Sequence, residues 1–526
     1  MSVDQNVRLP CGRTARNTLA KVALYEHLGD TYGSPPTEQH AALYSRWAQG
    51  EWGIVVTGNV QVSPAHLSLS RDIVIPPQIT PEALEPFKRL ADAMHGLEPG
   101  SVDTTPRDAP KSLAIIQLSH AGRQSMNLLG GRKPFAPPLA PSAVPMRTKT
   151  NDSSLSFLTH MVDALMFTPP QPMTISDIDV TIEAFIRGAH VAAQSGLDGV
   201  QIHAAHGYLI AQFISPKTNL REDEYSAQKA PLHFLHRIVS TIRASDTIPR
   251  DFVVGIKLNS ADYVDTGPEQ QTKDIEELNA EREARALSHV QEISSWRMID
   301  FIEISGGDYE NPTFITGLKS SSPRQAIFNQ FAHKAMGVVD IPPASSEPFL
   351  PSPPLILLTG GLKTPALLAS ALAKGHAHLL GLGKVGIIQP DLPRLLASGD
   401  QASLSIPPPE PDVTGLGAPL PASAPISARV ERVLLALLLA VVQRIPAQPP
   451  KLLGATAAVA WYTVMMRRLA EGDPVPDYTI GGTASIIRLW FWVRPDSTVQ
   501  SRSSLGSWFK MGLLGVTIGV IVGCLH

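Results

Sequence analysis

Eight short apolar runs punctuate the first 383 residues, at 19–25, 53–59, 113–119, 199–204, 253–259, 301–306, 355–360 and 378–383, with longer helix-like stretches between them. Most of the runs are continuously apolar instead of alternating, the pattern of parallel strands covered on both faces. The stretches 175–194, 232–244, 275–296 and 365–373 read as helices. The last opens on Thr364 as N-cap with Pro365 in its first turn, both favourable there. Eight strand–helix alternations specify an α/β fold, the (β/α)8 TIM barrel, whose chemistry sits at the carboxyl ends of the strands.

Proline, 47 residues in all, gathers at 134–145, 342–354 and 407–425, segments unsuited to regular structure. The first two read as loops of the barrel and the third as a linker. The expected organisation is a barrel over 1–398, a Pro-rich linker over 399–426, and a C-terminal, largely helical and hydrophobic extension over 427–526. Apolar stretches at 433–442 and 452–466 fall short of the roughly 20 residues that span a bilayer. The stretch 505–525 is apolar apart from Lys510 and a few small polar residues, with Trp508 and Phe509 at its start and Arg488, Arg494 and Arg502 upstream. It reads either as a C-terminal membrane anchor, with Lys510 reaching the interface, or as an apolar helix docked on the barrel.

Charge narrows the function classes. Forty-four Lys+Arg against 47 Asp+Glu leave a net charge of −3, without a basic excess to displace counterions, so nucleic acid is not an expected partner. Cys11 and Cys524 lie near opposite ends and build neither a disulfide framework nor a cysteine-rich zinc site, which fits a reducing compartment. Residues 1–16 are polar and lack the apolar core of a secretory signal. A cytoplasmic location is expected, with any tail anchor on an intracellular membrane facing the cytosol.

The densest chemistry lies at 198–209, Asp-Gly-Val-Gln-Ile-His-Ala-Ala-His-Gly-Tyr-Leu, which sets His203, His206 and Tyr208 where a strand ends and its loop begins. Two imidazoles can hold a carbonyl oxygen while a phenol donates a proton. The same residues also read as a satisfied pair of core histidines, or as two ligands of a zinc site, for which no well-placed third ligand is at hand. Gln117, opening Gln-Leu-Ser-His-Ala-Gly-Arg-Gln, can pair a donor and an acceptor with the imide edge of a flat heterocycle. Thr359-Gly360-Gly361 and Gly381-Leu-Gly383-Lys384 close the seventh and eighth runs, where barrel loops commonly cradle phosphate. As plain turns these glycines carry loop geometry alone.

In order along the chain, these motifs stand with Asn17, Ala23-Leu-Tyr-Glu26, Gly58-Asn59, Gln212-Phe-Ile-Ser-Pro216, Asn219, Arg221, Asp223, Lys257-Leu-Asn259 and Ser305-Gly-Gly307. The set resembles the old yellow enzyme family of FMN-dependent ene-reductases over residues 8–398, in the branch with His-x-x-His before the Tyr. The resemblance implies FMN across the barrel mouth, reduced by NADH or NADPH, with hydride passed from flavin N5 to the β-carbon of an alkene conjugated to a carbonyl. By position it implies that His203 and His206 hold the substrate carbonyl and Tyr208 protonates the α-carbon. Gln117 falls on the flavin pyrimidine edge, and Lys257 is the cation near N1 and C2=O. Gly361, Gly383 and Lys384, with Gly360 beside them, match the phosphate grip, and Ala23 and Gly58 match backbone contacts to the isoalloxazine. Tyr25 stands where the family more often carries Cys or Thr beside the flavin, and Lys384 replaces the usual Arg, a point charge in place of a fork.

The chemistry agrees with that assignment. Hydride addition builds negative charge on the carbonyl oxygen, where each preorganised donor is worth ~3 kcal/mol. A phenol, ordinarily titrating at about pH 10, keeps its proton for general-acid catalysis at pH 7. The implied substrate is a small enone or quinone-like molecule, a lipophilic one of secondary metabolism in view of the apolar tail, and self-association into a homo-oligomer stays open. Two other readings stand beside this one: a flavin-dependent dehydrogenase or isomerase on the same fold, and a flavin-less, membrane-tethered binding protein.

Overall fold

The computed structural model describes residues 2–98, 106, 109–146, 164–260, 275–305, 323–339, 352–400, 404, 411–412, 415–444, 451–473 and 475–490. Eight parallel strands close a barrel: β1 (Leu19–Lys21), β2 (Ile54–Gln61), β3 (Leu113–Ser119), β4 (Gly199–Ala204), β5 (Val253–Asn259), β6 (Phe301–Ser305), β7 (Leu355–Thr359) and β8 (Leu379–Leu382). Each pairs with the next in chain order, and β8 pairs back onto β1, so the barrel itself has no open edge. The apolar runs coincide with these strands, except that β1 stops at Lys21, short of Ala23 and Tyr25. Past Lys21 the chain leaves the sheet, and the Glu26 carboxylate accepts the Gly58 N–H at 2.7 Å and the Tyr44 hydroxyl.

Among the described residues the barrel portion includes the helices α1 (Glu38–Gln49), α2 (Pro81–His95), α3 (Ile175–Gln194), α4 (Leu209–Ile214), α5 (His233–Ala244), α6 (Ile275–Ser295), α7 (Pro323–Val339), α8 (Pro365–Ala373), α9 (Lys384–Ile388) and α10 (Leu392–Ser398). Helix α3 starts on a Thr174/Asp177 capping box, and α8 on Thr364, whose side chain accepts the Leu367 N–H. Both spans agree with the sequence reading. The core cluster includes Ile54, Leu113, Ile115, Val253, Phe301 and Leu357. Gly255 is required here, because a Cβ at that position would lie 2.2 Å from the Phe301 ring. A hairpin of Val7–Arg8 with Thr14–Ala15 adds Val7 and Leu9 to the same cluster.

The chain divides into two compact units: Met1–Glu410 with Pro450–Ala455 and Met465–Pro476, and Pro411–Pro449 with Thr456–Val464 and Asp477–His526. The first therefore includes residues that the sequence places in the tail. Within it, Arg467 Nη2 donates to His27 Nδ1 at 2.6 Å, and both residues are buried. Past residue 410 the described residues include the helices α11 (Ile426–Arg444), α12 (Lys451–Ala470) and α13 (Gly482–Trp490). Within the second unit Trp461 is buried, packs on Tyr478 with ring centroids 5.3 Å apart, and donates its indole N–H to the Ile480 carbonyl at 3.0 Å. Among the described residues no helix is long and apolar enough to cross a membrane, and the stretch 505–525 lies outside them.

Candidate active site

The carboxyl end of β4 carries three aromatic rings because the backbone turns sharply there. His206 (φ 58°) and Gly207 (φ 73°) reverse the chain, and Tyr208 becomes the N-cap of α4. The turn is tied from several sides. Asn259, closing β5, accepts the His206 N–H at 3.0 Å, while Gln124 and Gln212 donate to the His206 and Gly207 carbonyls at 2.8 and 2.7 Å. The result brings the His203 ring 4.5 Å from the Tyr208 ring and 5.2 Å from the His206 ring. His203 and Tyr208 are only 3% and 4% exposed.

Both imidazoles titrate well below the ordinary histidine range. Desolvation is the main cause, with the Lys257 charge adding to it at both rings and His206 adding to it at His203. They are therefore neutral near pH 7. His203 Nδ1 accepts the Ala205 N–H at 3.3 Å, so by hydrogen-bond assignment Nε2 carries the ring proton. His206 Nε2 lies 3.0 Å from the Ser305 hydroxyl at the end of β6. The Tyr208 hydroxyl accepts a hydrogen bond from Asn59 Nδ2 at 2.9 Å and lies 3.3 Å from the Ser68 hydroxyl.

A polar layer occupies the barrel beside these rings, where branched apolar residues would normally pack. Lys257 on β5 is level with His203 on β4 and Glu303 on β6. Its Nζ donates to Glu303 Oε1 at 2.9 Å. Gln117 on β3 faces Gln201 on β4, donating to it at 2.6 Å, and Gln201 donates to Glu303 Oε2 at 2.8 Å. Thr359, closing β7, donates to Glu303 Oε1 at 3.0 Å. The sequence alone gives no role to Gln201, Glu303, Ser305 or Asn59. The first three are single polar letters inside apolar strands, and their partners stand up to 102 residues away. Of the four, Asn59 and Ser305 fall within motifs, Gly58-Asn59 and Ser305-Gly-Gly307.

The remaining expected residues fall on the same end of the barrel. Gly360 (φ 118°) and Gly361 (φ 70°) hold the left-handed turn after β7, a conformation that favours glycine. Gly383 and Lys384 follow β8, which pairs with β1 through Leu382 and Lys21, and a Cβ at Gly383 would lie 3.3 Å from the side chain of Leu24, which stands between Ala23 and Tyr25. Tyr25 is half-buried, its ring 5.5 Å from that of His27. The Gly58 N–H is already engaged by Glu26 and, at 2.9 Å, by the Tyr44 hydroxyl oxygen. A Cβ at Gly58 would lie 1.9 Å from Glu26 Oε2, which accounts for the glycine without any ligand. A buried amide, a cation and a pair of left-handed glycines at one barrel end form a donor set that fits the imide edge and phosphate of a flavin mononucleotide.

Comparison with known proteins places this arrangement in context. A profile described as the NADH:flavin oxidoreductase / NADH oxidase family matches residues 14–306. The NADH-dependent flavin oxidoreductase iliE of Neonectria sp. (strain DH2) is 33% identical over 390 residues, covering 74% of this chain and 46% of that relative. The NADH-dependent flavin oxidoreductase iccE of Talaromyces variabilis is 31% identical over 415 residues, covering 77% of this chain and 88% of the relative. Among solved structures, the old yellow enzyme homologue from Zymomonas mobilis superposes with a TM-score of 0.51 at 22% identity, over 76% of this chain and 93% of that one. Morphinone reductase in complex with tetrahydroNAD gives a TM-score of 0.52 at 18% identity, over 76% and 91%. These structural likenesses establish the shared barrel.

Proposed function

The chain belongs to the NADH:flavin oxidoreductase / NADH oxidase family, and from that membership we propose that it is an FMN-dependent ene-reductase acting on a small α,β-unsaturated carbonyl compound. FMN, when bound, supplies the hydride that it has taken from NADH or NADPH and that goes to the substrate β-carbon. Gln117 and Lys257 would hold the pyrimidine side of the ring, and Gly360, Gly361, Gly383 and Lys384 the phosphate.

The protein's own residues supply the rest. Neutral His203 and His206 offer N–H donors to the carbonyl oxygen, and being uncharged they stabilise the developing oxyanion without pairing with an anion in the ground state. Tyr208 gives its hydroxyl proton to the α-carbon, which completes net addition of H2 across the double bond. The Asn59 amide, donating to the phenolic oxygen at 2.9 Å, meets the negative charge left there. The burial of His203 and Tyr208 keeps water from competing for both groups.

The observation that carries this reading is the 4.5 Å approach of the Tyr208 ring to His203, which sets proton donor and carbonyl holder side by side. Tyr208→Phe is expected to slow reoxidation of the reduced enzyme by an enone such as cyclohexenone by roughly 10²–10⁴-fold, with reduction by NADH nearly unchanged. Stopped-flow traces of the two half-reactions check this. Equal slowing of both, or of neither, would remove Tyr208 from the proton-donor role.

A further inference from the structure

The ion pair between Lys257 and Glu303 alters what a lone lysine would do at this place. Lys257 is 4% exposed and Glu303 0%. The carboxylate accepts from Lys257 at 2.9 Å, from Thr359 at 3.0 Å and from Gln201 at 2.8 Å, and Gln201 in turn accepts from Gln117 at 2.6 Å. One unbroken chain of buried hydrogen bonds thus joins the two residues assigned to the pyrimidine side.

The direction of this chain is forced. An ionised carboxylate only accepts hydrogen bonds, so Gln201 must turn its NH2 group toward Glu303 and its carbonyl oxygen toward Gln117. Gln117 must then donate from its own NH2, which leaves its carbonyl oxygen and second N–H directed elsewhere. Glu303 thereby settles the bearing of an amide two side chains away. It also offsets the charge of Lys257, since both charges sit in a dry layer where water screens them little.

We propose that Glu303 is a positioning residue that holds the flavin potential below the value an unpaired Lys257 would give, while fixing which side of the Gln117 amide offers its acceptor and which its donor to the imide edge. The proposal rests on the placement of flavin against Gln117 and Lys257 described above. Reduction adds two electrons and one proton to the ring and leaves one extra negative charge on its pyrimidine side. A cation there favours that state, and an anion beside the cation opposes it.

The test is the two-electron midpoint potential of FMN in the full-length holoenzyme, measured by spectroelectrochemistry in Glu303→Gln, Lys257→Met and the double variant. Glu303→Gln is expected to raise the potential by at least ~30 mV, a tenfold change in the reduction equilibrium, and Lys257→Met to lower it. An unchanged or lowered potential in Glu303→Gln, together with the expected fall in Lys257→Met, would overturn the role of Glu303 and leave the flavin placement standing. No shift in either single variant would overturn the placement itself, and the proposal with it. Should Glu303→Gln fail to fold, Lys257→Met is compared with Lys257→Met/Glu303→Gln, which leaves neither charge buried alone. A higher potential in the double variant supports the proposal, and equal potentials overturn it.

Discussion

Asn59 offers a second handle on proton transfer at the scale of single residues. Its Nδ2 lies 2.9 Å from the Tyr208 hydroxyl oxygen, and as a donor it stabilises that oxygen most once the proton has left. A hydrogen bond to a charged group is worth about 1.5–3 kcal/mol, so Asn59→Leu should slow alkene reduction roughly tenfold to a hundredfold and leave flavin reduction by NADH unaltered. Combined with Tyr208→Phe, the Asn59→Leu change should add nothing further, since both act on one oxygen. Additive slowing in stopped-flow measurements of the double variant would count against the link. The contrast between Tyr208 and its helpers shows what could be read from the sequence at this scale. His203, His206 and Tyr208 crowd into six residues, so one strand end reveals them together. Glu303 and Gln201 are inward-facing letters in the ordinary strand sequences Phe-Ile-Glu-Ile-Ser and Gly-Val-Gln-Ile-His. Their meaning appears only when neighbouring strands come into register.

At the scale of elements, the barrel is pinned at its amino end by acids that precede strands. Asp198, next to β4, accepts the Ala114 N–H of β3 at 2.8 Å, the Arg13 guanidinium and His95 Nε2 at 2.7 Å, with Lys111 at 3.3 Å. Burial alone would push its carboxyl upward. The hydrogen bond from His95 and the charges of His95, Lys111 and Arg13 outweigh that and hold it at about 2. Because the folded value lies below the unfolded one of 3.8, the stabilisation is fully present above about pH 4 and is lost as the pH falls toward 2. A depression of that size is worth about 2 kcal/mol. Asp198→Asn should therefore lower the urea midpoint at pH 7 and flatten its decline between pH 4 and pH 2. An unchanged acid limb would show that Asp198 is not one of the groups driving it. The strands themselves were legible because parallel strands buried on both faces need unbroken apolar runs. Helix α2 gives a weaker signal because Pro86 lies within it, and is recognisable mainly by Pro81 in its first turn and by Thr80, whose side chain caps it by accepting the Ala83 N–H.

For the whole molecule, the instructive residue is Arg467. From near the end of α12 it donates to His27 across 440 positions of sequence, and no local pattern of charge or hydrophobicity announces a partnership of that span. A boundary drawn at the Pro-rich stretch after residue 398 follows composition, whereas the compact unit containing the barrel also takes in Met465–Pro476. The bond lands two residues past Tyr25, whose ring lies 5.5 Å from that of His27. The segment therefore braces the loop after β1 that stands at the expected edge of the flavin. Burial, and next the nearby Arg71 charge, bring the Arg467 guanidinium down to about 9, so it is still charged at pH 7 and its donation to neutral His27 holds there. A chain ending after residue 410 loses this brace. Its thermal midpoint should fall by ~2 °C relative to the full chain, the scale of a loss of about 2 kcal/mol in a unit of this size, and it should release FMN more readily on dilution, followed by the rise in free-flavin fluorescence. Arg467→Met in the full chain separates the two effects. If the bond to His27 matters mainly for the loop, that variant should release FMN as the truncated chain does while keeping most of the thermal stability. Tight FMN retention in both proteins would show that the loop after β1 needs no support from beyond residue 410.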